Sequence, residues 1–453
     1  MKNGFISRGR VKRFRALSFS PWQRNRSRVG LSFPRGRWAP IQCPHENAFP
    51  CDVRTQRLAN PIKIGERHSR LHPAEPRFSP SLIRALANTA MGREDVLPFW
   101  FGESDQPTPS FIREAAITSL REGETFYSEN LGRLYLRQAI ASYLTGLHQR
   151  AVTADRIAVT ASGVSALMLA SQLLVAPGDR VVTVTPLWPN AVEIPKVVSG
   201  QVTCVSLEVQ DGRWTLPLDR LLQALTPGTR MLVLNSPNNP TGWTIQREEQ
   251  VALLEHCRRH GIWILADDVY ERLVYVEGMR SAPSFLALAD EGDRLIVINS
   301  FSKAWIMTGW RVGWMVAPSA IMPDLGALLE YNVSCVSVFT QRAAAIALQH
   351  GEPYVEQLRT ELAQTKAKLF AALRTMPRVE VPQADGAMYL FLRVTGEDDS
   401  MSLATRLIEE VGLGLAPGRA FGPEGEGWLR WCYAAAWRKN ESGIERMARF
   451  LSK

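Results

Sequence analysis

Between residues 156 and 316 one pattern recurs seven times: a short, almost wholly apolar run, rich in β-branched residues, followed by a longer stretch of different texture. The runs are 156–160 (RIAVT), 180–185 (RVVTVT), 202–207 (VTCVSL), 230–234 (RMLVL), 262–266 (IWILA), 294–298 (RLIVI) and 311–316 (RVGWMV). A strand apolar at nearly every position is covered on both faces. Amphipathic stretches at 163–176 and 246–260 lie between such runs and predict helices. The alternation restricts this part of the chain to the α/β class: a mostly parallel seven-stranded sheet with helices on both sides. In such sheets ligands bind beyond the carboxyl ends of the strands.

From about residue 340 the order changes. The sequence predicts a long helix over roughly 340–375, a strand over 387–393, a helix near 401–411 and a closing helix near 438–452. That is an α+β arrangement. The expected organisation is a large domain over 116–335 and a smaller α+β domain over 336–453. Residues 79–115 form an arm that joins the small domain, so the latter is built from both chain ends. A length of 453 residues suits two or three domains.

The formal charge is +9, which by itself would raise nucleic acid as a partner. Its location argues otherwise. Residues 1–45 hold 11 Lys and Arg, and no Asp or Glu precedes Glu46. The remainder has 42 basic against 44 acidic residues, a net of −2. The excess therefore belongs to the extension over 1–78. Its composition fits a disordered tail or upstream sequence taken in by a wrong start codon, a mitochondrial-type transit peptide, or a nucleic-acid-binding arm. The expected compartment is the cytoplasm, or the mitochondrion if the transit reading holds. No apolar run of about 18 residues occurs, so no membrane span is expected. Six scattered cysteines without a C-x-x-C pair, and seven histidines without H-E-x-x-H, give no disulfide framework and no metal site.

Five segments carry candidate chemistry. In NSFSKAWIMTGWRVGWM (299–315), Lys303 follows a strand and Arg311 lies eight residues on. Burial can leave such a lysine as a free amine able to form a Schiff base. The fork of Arg311 suits a phosphate. ADDVY (266–270) ends an apolar strand at Asp267, a helix cap or an anionic partner for a protonated ring nitrogen, with Tyr270 close by as a hydroxyl donor. NSPNNPTGW (235–243) is a turn that also presents two amide side chains. VTASGVSAL (159–167) runs from strand to helix with small residues between. The N–H groups of Ser162, Gly163 and Val164 would sit there as a phosphate cradle. TPLWPNA (185–191) puts Trp188 in a loop, where its ring can pack or stack on a flat ligand.

Taken together, residues from about 80 to 453 resemble the class I/II aminotransferases, the fold-type I enzymes that use pyridoxal 5′-phosphate. FGESDQPTP (101–109) is similar to that family's opening segment, and YSENLGRLYLRQAI (127–140) to its next. The five segments above follow in the family's order, and WLRWCYAA from Trp428 is like its substrate-arginine strand. The resemblance implies an aminotransferase that moves an amino group from an L-amino acid to a 2-oxo acid through a Lys303 Schiff base. Lys303 would also be the general acid/base. Asp267 would hold the pyridinium proton, and Tyr270 and Asn239 would bond the phenolic oxygen. Trp188 would stack on the ring. Ser162, Gly163, Val164, Ser300 and Arg311 would hold the phosphate, joined by Tyr127 from a second copy, so a homodimer is implied. Arg430 would pair the substrate α-carboxylate, with Gly102 and Asn239 lining that end.

Two departures bear on the donor. Val164 stands where some aspartate-using relatives carry a lysine, and Ser104 where proline is usual. With Trp188, Trp243 and Tyr389 near the site, a neutral or aromatic donor is expected beside an aspartate-like one. A β-lyase of the same fold is the alternative activity. A transcription regulator with a domain of this type would need a folded DNA-binding module within residues 1–78, where no helical period is visible. An inactive binder is disfavoured because Lys303, Asp267, Tyr270, Arg311 and Arg430 are all present.

Overall fold

The computed structural model describes residues 80–453, so the basic segment and the readings attached to it lie outside the described residues. The large sheet is built from β1 (Ile157–Thr160), β2 (Arg180–Thr185), β3 (Gln201–Ser206), β4 (Thr229–Asn235), β5 (Trp263–Asp267), β6 (Leu295–Ser300) and β7 (Gly313–Val316). Their spatial order is β1-β7-β6-β5-β4-β2-β3. Neighbours from β3 through β6 are parallel, and β7 runs antiparallel to both β6 and β1. All seven apolar runs become strands, their ends shifted by two residues at most.

The two-residue period of a strand divides the core between the sheet's faces. In β4, Leu232 and Leu234 join Val182 and Val184 of β2 and Ile264 of β5 on one face. Met231 and Val233 join Val181 and Leu265 on the other. The helix Gly163–Leu174 covers this second face with Ala166, Leu169, Ala170 and Leu174. The helix Arg247–His260 covers the first with Leu253, Leu254 and Cys257. Its ends are written into its sequence: Gln246 and Glu249 form a capping box, the last turn is basic, and Gly261 closes it at φ 68°. Each Leu, Ile or Val buried this way contributes about 1.5–3 kcal/mol.

A second sheet has β8 (Val379–Glu380), β9 (Tyr389–Val394), β10 (Ala416–Pro417) and β11 (Trp428–Cys432), antiparallel in the order β8-β9-β11-β10. Leu97–Pro98 pairs in parallel with Leu413–Gly414, which ties the segment ahead of the large sheet to the C-terminal part. Phe391 and Trp428 stack at 5.4 Å between centroids. The expected single helix over 340–375 is two helices, Val338–His350 and Glu352–Arg374. Gly351 ends the first, where a Cβ would fall 2.2 Å from the Ala347 carbonyl oxygen. Pro353, in the first turn of the second, can begin a helix but not continue one. Outside both sheets, Arg272 is 2% exposed and forks onto Glu352 at 2.6 and 2.8 Å, which fastens the loop after β5 to the helix Glu352–Arg374.

Candidate active site

Register sets the site. Gly313, the first residue of β7, lies level with Thr160 at the end of β1 and Ser300 at the end of β6. Because β7 runs against its neighbours, the residue that enters it, Arg311, arrives at the edge where the others finish. Asn235 and Asp267 are likewise paired at the ends of β4 and β5. The loops leaving these ends enclose a cleft of 610 Å³ lined by Gly102, Gly163, Val164, Trp188, Asn239, Asp267, Tyr270, Ser300, Lys303, Arg311 and Arg430.

Lys303 Nζ donates to the Gly102 carbonyl oxygen at 2.5 Å and stands 5.5 Å from the centre of the Tyr270 ring. Burial is the main cause that pulls its ammonium down to about 8, so a free amine is within reach near neutral pH. Asp267 is 7% exposed, and one carboxylate oxygen accepts the Val269 N–H at 3.3 Å. Burial pushes this carboxyl up to about 7. A cation brought against it would restore the ionised form. Asn235 donates through Nδ2 to the Asp267 carbonyl oxygen at 3.0 Å and accepts the Asn239 N–H at 2.9 Å, which joins the two strand ends to the turn beyond them.

Of the two amides expected in that turn, only Asn239 faces the cleft. Asn238 holds the turn itself, with its oxygen accepting from the Thr241 N–H and hydroxyl at 3.1 and 2.7 Å. Arg430 is 2% exposed. It donates to Asn239 Oδ1 at 2.8 Å and to the Trp100 carbonyl oxygen. The guanidinium rests over the rings of Tyr389 and Phe421, at 4.5 and 4.8 Å. Its buried Nε has no hydrogen-bond partner among the described residues. Asn239 spends its oxygen on Arg430 and keeps its NH₂ group as a donor.

Ser162 caps the helix Gly163–Leu174, its hydroxyl accepting the Ser165 N–H at 3.1 Å. The first N–H groups of a helix have no partner within it and attract an anion. Ser162 has φ 134°, and Ile306 and Arg311 have φ 52° and 53°. Strain at non-glycine residues around one cleft is a mark of function. Gly313 is required behind the turn: a Cβ there would lie 2.6 Å from the Asn299 carbonyl oxygen and 3.0 Å from the Gly163 nitrogen. Trp188 is half-buried in the cleft wall, and its backbone N–H donates to the Asn239 carbonyl oxygen at 2.9 Å.

One residue expected beside the site is elsewhere, and Tyr127 was expected only at the site of a second copy. Trp243 is buried in the core and does not line the cleft. Tyr127 is 85% exposed and outside the cleft of its own chain. Several residues in or next to the cleft were not expected. Asn235 locks the strand ends. Arg84 and Glu103 stand at the mouth. Cys432 lies buried beneath the Gly102–Glu103 segment, its Sγ donating to the Glu103 carbonyl oxygen at 3.7 Å. The position of Cys432 two residues past Arg430, on the same side of β11, was the available signal. No group of His, Cys, Asp and Glu suited to a metal ion occurs among the described residues, and no described helix is long and apolar enough to cross a membrane.

A family model for class I and II aminotransferases matches residues 94–447. An aspartate aminotransferase of Pyrococcus horikoshii is 32% identical, over 82% of this chain and 94% of that protein. An arginine–pyruvate transaminase of Pseudomonas aeruginosa is 33% identical, over 77% and 87%. The crystal structure of an aromatic aminotransferase from Pyrococcus horikoshii superposes with a TM-score of 0.75 at 31% identity, over 81% of this chain and 98% of that one.

Proposed function

On the premise that the chain belongs to the aminotransferase class I and II family, we propose that it moves an amino group from an L-amino acid to a 2-oxo acid with Lys303 as the catalytic amine and pyridoxal 5′-phosphate as cofactor. The carrying observation is the convergence of Lys303, Asp267, Tyr270, Asn239, Arg430 and, from the helix-start turn, Gly163 and Val164 on one cleft. The residues fit that cofactor. Asp267 is a buried carboxyl in want of a cation, the turn presents the free N–H groups of a helix start with Gly313 leaving room behind it, and Trp188 offers a flat face. When bound, the cofactor supplies an electron sink for the carbon next to the amino group.

The chain's own groups do the rest. Arg430 seats the α-carboxylate through a charge-assisted fork, with its unpartnered Nε available. Lys303, poised near neutrality, is the group that would take the proton from that carbon and hold it for return. Asp267 fixes charge on the ring nitrogen, and Tyr270 and Asn239 donate to the phenolic oxygen. Ser162, Gly163, Val164, Ser300 and Arg311 hold the phosphate. Exposed Phe126, Tyr127 and Tyr331, beside an open cleft of 680 Å³ that shares Arg311, support a second copy whose Tyr127 completes the phosphate site. The side walls formed by Ile83, Trp100, Phe101, Val164 and Trp188 favour an uncharged or aromatic side chain, and Arg84 keeps an aspartate-like donor among the candidates.

The test is borohydride trapping with and without Lys303. Wild type should fix cofactor covalently and turn over amino donors with pyruvate or 2-oxoglutarate, and Lys303→Ala should do neither. A covalent adduct retained in the variant overturns the assignment. Oxo-acid release in the absence of any acceptor would point to the lyase reading instead.

A further inference from the structure

We infer that Tyr389 is a positioning residue: its hydroxyl aims the single proton of Tyr270 at the cofactor's phenolic oxygen, and its ring seats Arg430. This rests on the reading above. The two hydroxyls are 2.6 Å apart, with Tyr389 fully buried and Tyr270 3% exposed. Their rings meet edge to face at 5.7 Å between centroids. A tyrosine hydroxyl has one proton to give and can accept from others. If both protons were free to choose, Tyr270 could turn its proton toward Tyr389 and leave the cleft with a lone pair. An acceptor in the cleft removes that choice. Tyr270 donates into the cleft, and Tyr389 must then donate to Tyr270. A donor that itself accepts a hydrogen bond is polarised into a stronger donor. Tyr389 lines the same cleft, and its hydroxyl is spent on Tyr270, through which it acts on the cofactor.

The same side chain reaches the other end of the site. Its ring carries the Arg430 guanidinium at 4.5 Å. A Cβ on Gly102 would fall 2.1 Å from its hydroxyl oxygen, so the segment whose carbonyl receives Lys303 is packed directly on it. One strand, β9, therefore supports both the carboxylate seat and the phenolic-oxygen donor. The other titratable groups facing the tyrosine pair are Arg430 and Cys432 on β11, Tyr433 just past it, Tyr275 in the loop after β5, Asp267 at the end of β5, Lys303 beyond β6 and Glu103 near Gly102. None of them is hydrogen-bonded to either hydroxyl among the described residues.

The experiment is a pH titration of the visible absorption band of the cofactor-loaded protein, wild type against Tyr389→Phe. A hydrogen bond to the phenolic oxygen draws charge from it, so the neighbouring nitrogen holds its proton less tightly. Weakening that bond should raise the midpoint by about half a unit or more. The phenyl ring still carries Arg430, so KM for amino donors should stay within about twofold, whereas Tyr389→Leu should raise it more than about tenfold. An unchanged midpoint in Tyr389→Phe would overturn the inference and leave the aminotransferase reading standing. A wild type that takes up no cofactor would overturn both.

Discussion

Asp267 offers the sharpest physical test, because it can be made without any substrate. In the cofactor-free protein its carboxyl is buried and its pKa is raised, by burial first, from 3.8 to about 7. The unfolded chain ionises this group near 3.8, while the folded chain keeps it protonated until about 7. Between those values the folded state binds more protons, so stability falls as pH rises. Three units at about 1.4 kcal/mol each give a loss of ~4 kcal/mol, complete above pH 7. The positive charge of Lys303 across the cleft already holds the carboxyl below where burial alone would put it. Asp267→Asn keeps the size of the side chain and the acceptor for the Val269 N–H, and it cannot ionise. Urea unfolding of the two cofactor-free proteins should therefore give equal stabilities near pH 4. By pH 8 the variant should lead by about 2–4 kcal/mol. Groups that do not feel Asp267 drop out of the difference, whereas Asp268 and Lys303, which its charge holds up, shift with it. Pyridoxal 5′-phosphate should then reverse the ranking at pH 8, since only wild type gains a partner for the cationic ring nitrogen. A stability difference that stays flat from pH 4 to 8 would refute the claim that this carboxyl is held against its charge.

Three further outcomes follow from the geometry. Arg430→Ala removes the proposed carboxylate seat and should raise KM for every amino donor about 100-fold, read from initial rates across a donor panel. Gly313→Ala pushes a methyl group against the Gly163 nitrogen, so equilibrium dialysis should show cofactor affinity lower by about tenfold or more. Arg272→Ala breaks the buried pair with Glu352 and should cost about 3 kcal/mol in denaturant unfolding. The absorption band of the loaded protein should stay unchanged, since Arg272 is not part of the cleft wall.

The large sheet was legible because its strands are apolar on both faces, and a central strand such as β4 has no other way to be covered. The direction of β7 was not legible. GWMV reads the same in either sense, and only the register against Thr160 and Ser300 shows why Arg311 comes to the cleft. Residues whose type carries chemistry, Lys303, Asp267 and Arg430, could be picked out from their places at strand ends and in known motifs. Tyr389 was legible only as a ring near the site, and the role of its hydroxyl was not. In the run MYLFLRV an aromatic residue reads as core, and its hydroxyl partner lies 119 residues away in sequence. Trp243 shows the opposite error, a ring beside a functional turn that packs inward. The break at Gly351 was missed because apolar spacing continues across it, while a glycine and a proline two residues apart end one helix and begin another.

The partners of Arg430 are an amide oxygen, a backbone carbonyl and two ring faces, and none is an anion. The charge therefore stays uncompensated until a ligand brings the matching one, and Arg430 is the buried arginine of this cleft among the described residues. Amino donor and oxo-acid acceptor both present an α-carboxylate, so the two cannot be seated together. They must queue. Each has to leave before the other enters, and surplus acceptor competes for the seat the donor needs. Reciprocal plots at several fixed acceptor concentrations should run as parallel lines, and a large excess of either partner should slow the exchange it is meant to drive.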